Sequence, residues 1–392
     1  RFIATETEIQ TFFNQPTAPP AEGPWPLVSI LVPAYNEGET IERALESLKH
    51  LDYPRFEVVV IDDGSTDDTH ARALPFAGEH GPCTIRVHRK ENAGKWSALN
   101  LGFQCSRGDL ILCVDADSDL EPRALRWLVG RLRDPQLSAV AGQVRVRNRN
   151  RVVTSLQTLE YLICNGALRI SQSRFRSVLV VPGPIGLYRR AMLEEVFLHY
   201  GSTHPNREPG QVSGPYEPDT FAEDFDLSLA VLYLGGRIVY EPMAISRTKA
   251  PDWIFALLNQ RYRWARGSIQ VLRKYLRRLR TDPRIRVRRV IAWIGATYIF
   301  YLTVQPVLFL AGLGFFLLML GNGVSMWLPL LFLVIFQLIT FTASVMYIRM
   351  HKEDMKLLRF VPIYDIYQGF LVNCGWAIAI IDEIRGTGMR WQ

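Results

Sequence analysis

Three acidic groups in this chain have the residue types and spacing for shared chemistry. The stretch Leu110 to Leu120 reads Leu-Ile-Leu-Cys-Val-Asp-Ala-Asp-Ser-Asp-Leu, an apolar run that stops at Asp115, Asp117 and Asp119. A short run apolar on both faces predicts a buried parallel strand, and ligands of open α/β sheets bind at the C-terminal ends of such strands. Asp115 and Asp117 are two apart, so while the backbone stays extended both point the same way. Same-side carboxylates repel, which makes physical sense around a hard divalent cation, Mg²⁺ or Mn²⁺, that favours oxygen ligands and keeps substrate phosphates in its shell. Taken alone, the pair is better read as an acidic turn that caps the next helix, with Asp119 as cap and Pro122 in the first turn; its neighbours change that balance.

The second group, Asp62-Asp63-Gly64-Ser65, ends another apolar run, Phe56 to Ile61. One strand-end pair can hydrogen-bond a base or ribose while the other holds a metal on a diphosphate, a division that suits a nucleotide-sugar. The third group is Glu223-Asp224-Phe225-Asp226 at the start of a helical pattern. Three acids in one turn exceed what capping and dipole compensation require. A fourth feature is cationic and aromatic: Gln260, Arg263, Trp264 and Gly267 share one helix face in Gln-Arg-Tyr-Arg-Trp-Ala-Arg-Gly. Arginine suits bidentate phosphate binding and tryptophan offers a flat surface to a sugar ring. A snorkelling interfacial helix with its arginines among headgroups is the plainer reading.

The elements that must carry these groups follow in a regular order. Val28 to Val32 predicts a first strand running into Pro33-Ala34-Tyr35-Asn36-Glu37, and Ile41, Ala44, Leu45 and Leu48 predict a helix. Strands follow at Phe56 to Ile61, Ile85 to His88, Leu110 to Val114 and Ala139 to Val146, with a helix from Lys95 between Ile85 to His88 and Leu110 to Val114. Alternating strands and helices mean βαβ units and a parallel sheet, the nucleotide-binding half of a doubly wound fold. Neither Gly-x-Gly-x-x-Gly after the first strand nor a phosphate-binding Gly-x-x-x-x-Gly-Lys-Ser/Thr is present, which argues against a nicotinamide site and a phosphate-loop hydrolase. Val178 to Tyr188 reads as a strand broken at Pro182-Gly183-Pro184, where glycine permits close approach of a ligand. His199 to Thr220, rich in Gly, Pro and charge, predicts a mobile loop, and Arg237 to Glu241 a further strand.

With 392 residues, at least two units are expected. Hydrophobic content of 48% and a net charge of +7 are unevenly spread. Residues 1–26 are a polar, Pro-rich lead-in, 27–250 a mixed domain that faces the cytoplasm, 251–289 interfacial helices with a basic flank, and 290–392 a membrane region of two to three spans. The candidate spans are Val290 to Leu320, interrupted at Gln305-Pro306, then Trp327 to Ile348, then Phe360 to Ile381, which Asp365 and Pro362 weaken. Cations flanking an apolar segment obey the positive-inside rule, so nucleic-acid binding is not expected. Five scattered cysteines argue for reduced thiols over a disulfide framework or zinc site. The chain starts at Arg1 without a signal-like segment, so an upstream portion is expected.

Pro-Ala-Tyr-Asn-Glu, Asp-Asp-Gly-Ser, Gly-Lys-Trp-Ser-Ala-Leu-Asn, Asp-Ala-Asp, Glu-Asp-Phe-Asp and Gln-Arg-Tyr-Arg-Trp occur here in this order. Together they resemble the processive, membrane-embedded family 2 glycosyltransferases, which include cellulose, chitin, hyaluronan and bacterial poly-N-acetylglucosamine synthases. The resemblance implies a GT-A type α/β domain with a doubly wound, mostly parallel sheet, followed by interfacial and transmembrane helices in the inner or plasma membrane. It implies an inverting, Mg²⁺- or Mn²⁺-dependent enzyme that polymerises a β-linked polysaccharide from a UDP-sugar, with UDP-N-acetylglucosamine the favoured donor. The growing polysaccharide would pass through the enzyme's own channel in the lipid bilayer, and accessory secretion subunits are possible partners. By the same resemblance Tyr35 and Glu37 would line the uracil and ribose pocket, and Asp63, helped by Asp62, would read the base. Lys95, Asp115 and Arg263 would serve the nucleotide or its diphosphate, and Asp117 with Asp115 the metal. Asp224 would be the general base. Glu223, Gln260, Trp264, Gly183 and Pro184 would meet the acceptor. Ala222 stands where Thr often precedes Glu-Asp in such families. Two rivals stay open: transfer of one sugar to a membrane lipid, as in glucosylceramide synthase, and a non-catalytic membrane scaffold.

Overall fold

The computed structural model describes residues 25–201, 213–281, 305–322 and 327–387. The chain divides into two compact units, one of Arg1–Arg147 with Gly166–Lys249, the other of Asn148–Asn165 with Ala250–Gln392.

The first unit is built on a nine-stranded sheet whose strands are β1 (Val28–Ala34), β2 (Phe56–Asp62), β3 (Gly78–His80), β4 (Cys83–Arg89), β5 (Leu110–Cys113), β6 (Ser118–Leu120), β7 (Ala139–Val146), β8 (Gly186–Arg189) and β9 (Ile238–Thr248). Their spatial order is β3-β4-β2-β1-β5-β8-β7-β9-β6. β1, β2, β4 and β5 are mutually parallel neighbours, as the alternating pattern predicts. The connecting helix Ile41–Lys49 buries Ile41, Ala44, Leu45 and Leu48, the four residues its period selects. β1 and β2 are buried along their whole length, so apolar side chains cover both faces.

Beyond β5 the sheet departs from the mostly parallel arrangement expected. β8 runs antiparallel to β5 and β7, and β6 antiparallel to β9, which makes the sheet mixed. The reason is local. The chain reaches β8 through the Gly183–Ile185 turn, and Gly186 pairs with Cys113 at the C-terminal end of β5. A strand that starts at that edge must run back. Val178 to Val181 therefore forms no strand, while β9 is longer than predicted and is bulged against β7 at Gly142 and Gln143.

The second unit is helical. Its core gathers Leu156, Leu159, Leu257, Ile348, Leu357, Val361 and Tyr364. Among the described residues its longest helix is Ile254–Thr281. Among the described residues one segment is long and apolar enough to cross a membrane, Pro329–Met350, with a mean hydropathy of 2.1. It lies within the helix Trp327–Met350, whose Trp327, Leu331, Val334, Phe336 and Ile339 face outward. Gln305–Gly321 is also an apolar helix, and residues 290–304 of the first predicted span lie outside the described residues. The third candidate is broken into Val361–Ile366, a π-turn at Tyr367–Val372 and Asn373–Arg385. Polar bonds tie it to the Ile254 helix: Tyr262 donates to Asp382 at 2.7 Å and Arg266 to Glu383 at 3.0 Å. Asp365, which weakens the span by composition, accepts from Gln337 at 2.7 Å. Cys83, Cys105, Cys113 and Cys374 are free.

Candidate active site

The parallel strands β1, β2 and β5 end on one edge of the sheet, and each delivers acids there. After β2, Asp62 and Asp63 are buried. Asp63 accepts from Lys90 Nζ at 2.5 Å, from the Ala93 amide at 3.2 Å and from the Gly94 amide at 2.8 Å. Asp62 accepts from the Ser65 amide at 2.9 Å and lies 3.2 Å from Arg89 Nε. The pair thus folds the Ser65 loop and holds the segment leading into the Lys95 helix (Lys95–Cys105). After β1, Tyr35 is half-exposed and the next residue, Asn36, has φ of 54°. Asparagine tolerates that left-handed backbone. Its side chain accepts from the Thr66 amide at 2.9 Å, while its own amide donates to Ser65 Oγ at 3.0 Å. The β1 and β2 loops are therefore one hydrogen-bonded rim.

After β5 the backbone does not stay extended. The Ser118 amide donates to the Asp115 carbonyl at 3.0 Å, closing a turn through Ala116 and Asp117. The turn, and not strand alternation, brings the two carboxylates into each other's field, because Ser118 must pair with Thr248 of β9. Asp117 accepts from Ser118 Oγ at 2.8 Å and Thr248 Oγ1 at 3.1 Å. Its proton affinity is raised by burial and by the neighbouring Asp115. Glu37 is raised as well, first by burial and further by Asp117 and Asp115, although its bond from Thr40 opposes this. Asp119 serves neither as a helix cap nor in this field: it pairs with Arg43 at 2.7 Å and Arg147 at 3.0 Å.

Lys95 joins the strand acids to the third acidic group. Its Nζ lies 2.7 Å from Asp115 Oδ1 and 2.9 Å from Glu223 Oε1. Burial alone would depress the ammonium, but these two carboxylates outweigh it and hold Lys95 well above the usual lysine range. Asp224 follows Glu223 in the first turn of the helix Glu223–Tyr233. Its carboxylate accepts from the Phe225 amide at 2.7 Å and the Gly183 amide at 3.3 Å. Burial and the adjacent Glu223 push Asp224 up to about 6, against the pull of Lys95. Gly183 has little room for a side chain here. A Cβ would lie 3.1 Å from Lys95 Nζ and 3.4 Å from Asp115. A narrow cleft is lined by Lys95, Cys113, Asp115, Gly183, Tyr188 and Asp224. Pro184 continues the Gly183 turn.

What lies beside the third group has no signal in the sequence. Of the loop expected at His199 to Thr220, residues 202–212 lie outside the described residues, but Gly214 to Glu217 are buried. The Tyr216 hydroxyl sits 2.8 Å from Cys113 Sγ, inside the same cleft. Among the described residues, Glu217, Asp219 and Asp226 bring one carboxylate oxygen each within 4.8 Å of one another. Glu217 and Asp219 sit in Pro-rich, turn-like sequence with no period to select them.

Gln260, Arg263 and Trp264 belong to the second unit. Arg263 and Trp264 are exposed on the Ile254 helix, and Gln260 accepts from Arg261 at 2.8 Å. The first arginine of the motif is the structural one. Arg261 is buried, pairs with Glu160 at 2.6 Å and lies over the Trp264 ring at 4.3 Å. Tyr161 stacks on the same ring with centroids 6.5 Å apart. A charge that is buried needs such a partner, and one left at the surface does not.

Residues 29–197 match the family model described as glycosyl transferase family 2. The poly-beta-1,6-N-acetyl-D-glucosamine synthase of Staphylococcus aureus is 31% identical over 246 residues, 62% of this chain and 55% of that protein. The Staphylococcus epidermidis protein of the same name is 30% identical over the same span. The chain thus spans about half the length of the curated relatives it matches. In fold, it is similar to a mannosyltransferase from Pyrobaculum calidifontis solved with GDP-Man and Mn²⁺, with a TM-score of 0.61, 20% identity and coverage of 93% of this chain and 94% of that one. The mixed α/β sheet is of the GT-A kind, and the similarity to family 2 glycosyltransferases lies in residues 29–197.

Proposed function

We propose that the chain is an inverting glycosyltransferase that uses a UDP-sugar, with UDP-N-acetylglucosamine the favoured donor, and extends a β-linked polysaccharide processively. The observation that carries this reading is the convergence of Lys95, Asp115, Glu223 and Asp224 around the Gly183 turn at the ligand-binding edge of the sheet. The similarity to two poly-N-acetylglucosamine synthases supports the donor and the polymer. The outward-facing apolar helix Pro329–Met350 supports a place in the bilayer, with the sheet domain in the cytoplasm.

In this mechanism Asp224 takes the proton of the attacking acceptor hydroxyl. A base poised at about 6 is ionised at neutral pH yet still basic enough to accept that proton. The hydroxyl attacks the anomeric carbon from the face opposite the diphosphate, so one displacement inverts the centre and no carboxylate nucleophile is required. Lys95 is placed to offset charge on the departing diphosphate. An all-oxygen set of Asp115 and Asp117, in which Asp115 adds to the cost of ionising Asp117, fits a hard divalent cation. Such an ion would supply positive charge opposite the leaving group. Asp62 and Asp63 shape the nucleotide rim that Tyr35 and Glu37 border. Arg263 and Trp264, exposed on their helix, are offered to phosphate and sugar. Accessory secretion subunits would act after polymer formation.

The test is UDP release by the purified full chain given UDP-N-acetylglucosamine and Mn²⁺, with analysis of the product. A long polymer supports the proposal. A single sugar on a lipid replaces it with the lipid-glycosylation reading, and no UDP release favours a scaffold.

A further inference from the structure

We infer that Asn100 is a positioning residue for transfer: its amide latches the strap Ser213–Phe221 onto the Lys95 helix and so sets where Glu223 and Asp224 stand. This rests on the glycosyltransferase reading above. Asn100 is buried, and its Nδ2 donates to the Tyr216 carbonyl at 2.9 Å while its Oδ1 accepts from the Tyr216 amide at 3.0 Å. A side-chain amide offers one donor and one acceptor in this arrangement, which is what an unpaired backbone needs where no strand is available. One turn along the same helix face, Gln104 Nε2 donates to the Ser213 carbonyl at 2.6 Å. Gly214 lies between the two attachments, and a Cβ there would fall 2.3 Å from Asn100 Oδ1. The strap can lie this close to the helix only with glycine at that position.

The strap is attached at both sides of the cleft. Its backbone is held by the helix that begins with Lys95, and its Tyr216 hydroxyl meets Cys113, two residues before Asp115. It then runs directly into the helix whose first two residues are Glu223 and Asp224. Lys95 meets Asp115 and Glu223 together because the strap anchors the start of that helix. Asn100 touches no substrate in this scheme and acts through the position of Asp224.

The full chain is compared with Asn100→Leu and Gly214→Ala, which cut the latch from opposite sides. UDP affinity is measured by calorimetry and turnover by UDP release at saturating donor. A misplacement of about 1 Å at a reacting group costs about a hundredfold. Both variants are expected to lose turnover on that scale while Kd for UDP stays within about twofold, because the nucleotide rim is built on other loops. Turnover equal to wild type in either variant overturns the inference. So does a loss of UDP affinity in step with turnover, which marks a general disturbance of the fold. Where Asn100→Leu fails to fold, Gly214→Ala, which leaves every hydrogen-bonding group in place, decides alone. A wild-type chain that releases no UDP overturns the glycosyltransferase reading and this inference with it.

Discussion

Two strands of one sheet, with β1 between them, end in paired aspartates, and the two pairs have different fates. Asp62 and Asp63, after β2, meet amides, an arginine and a lysine, and both are buried. Asp115 and Asp117, after β5, share two hydroxyls and one lysine, and that lysine also serves Glu223. At the second strand end, burial and the neighbouring Asp115 raise the proton affinity of Asp117. The difference teaches where chemistry is available. Acids held by amides and by cations of their own keep loops in place, whereas acids that share one lysine gain from an incoming cation or proton.

The contrast can be broken by substitution, beginning with the largest effect. Asp224→Asn keeps the shape of the β5 side but removes its base. Transfer should fall about 10²–10⁴-fold with UDP affinity largely intact, and a parallel collapse of UDP binding would sink the base assignment. Asp117→Asn should weaken Mn²⁺ binding by at least the roughly 10–100-fold that loss of a metal's outer-shell partner costs, read by calorimetry. Asp219→Asn, in the other carboxylate group, should leave it unchanged. The opposite pattern would move the metal to Glu217, Asp219 and Asp226.

Asp63→Asn is expected to act on stability instead. Loss of charged hydrogen bonds from Lys90 and Gly94 should destabilise the first unit by about 1.5–3 kcal/mol in denaturant melts, with Mn²⁺ affinity retained. The smallest effect is a shift in pH. Because Asp224 works deprotonated and is held at about 6, kcat/KM should rise with pH through that value. Lys95 lowers that pKa, so in the residual activity of Lys95→Met the rising limb should move to higher pH. A limb that stays in place would show that another group titrates.

Much of this was legible beforehand because it depends on periodicity and strand ends. The apolar runs located β1, β2, β5 and β7, and helical spacing selected the buried face of the Ile41 helix. Three features resisted. The Asp115–Ser118 turn is imposed by pairing with β9, more than a hundred residues away in the chain. The reversal of β8 depends on which edge the chain reaches after its helical excursion. In Gln-Arg-Tyr-Arg-Trp, nothing local tells Arg261 from Arg263, and only the presence of Glu160 buries the first.

The sequence by itself determined the parallel strands, the Ile41 helix and the residue types available for chemistry, because burial and helix or strand period act over neighbouring residues. Tertiary structure alone decided which acids are satisfied, that Lys95 bridges Asp115 and Glu223, and that Asn100 holds Tyr216. Charge and hydrogen bonding act across a few ångströms of space, and those distances join residues that the chain keeps far apart.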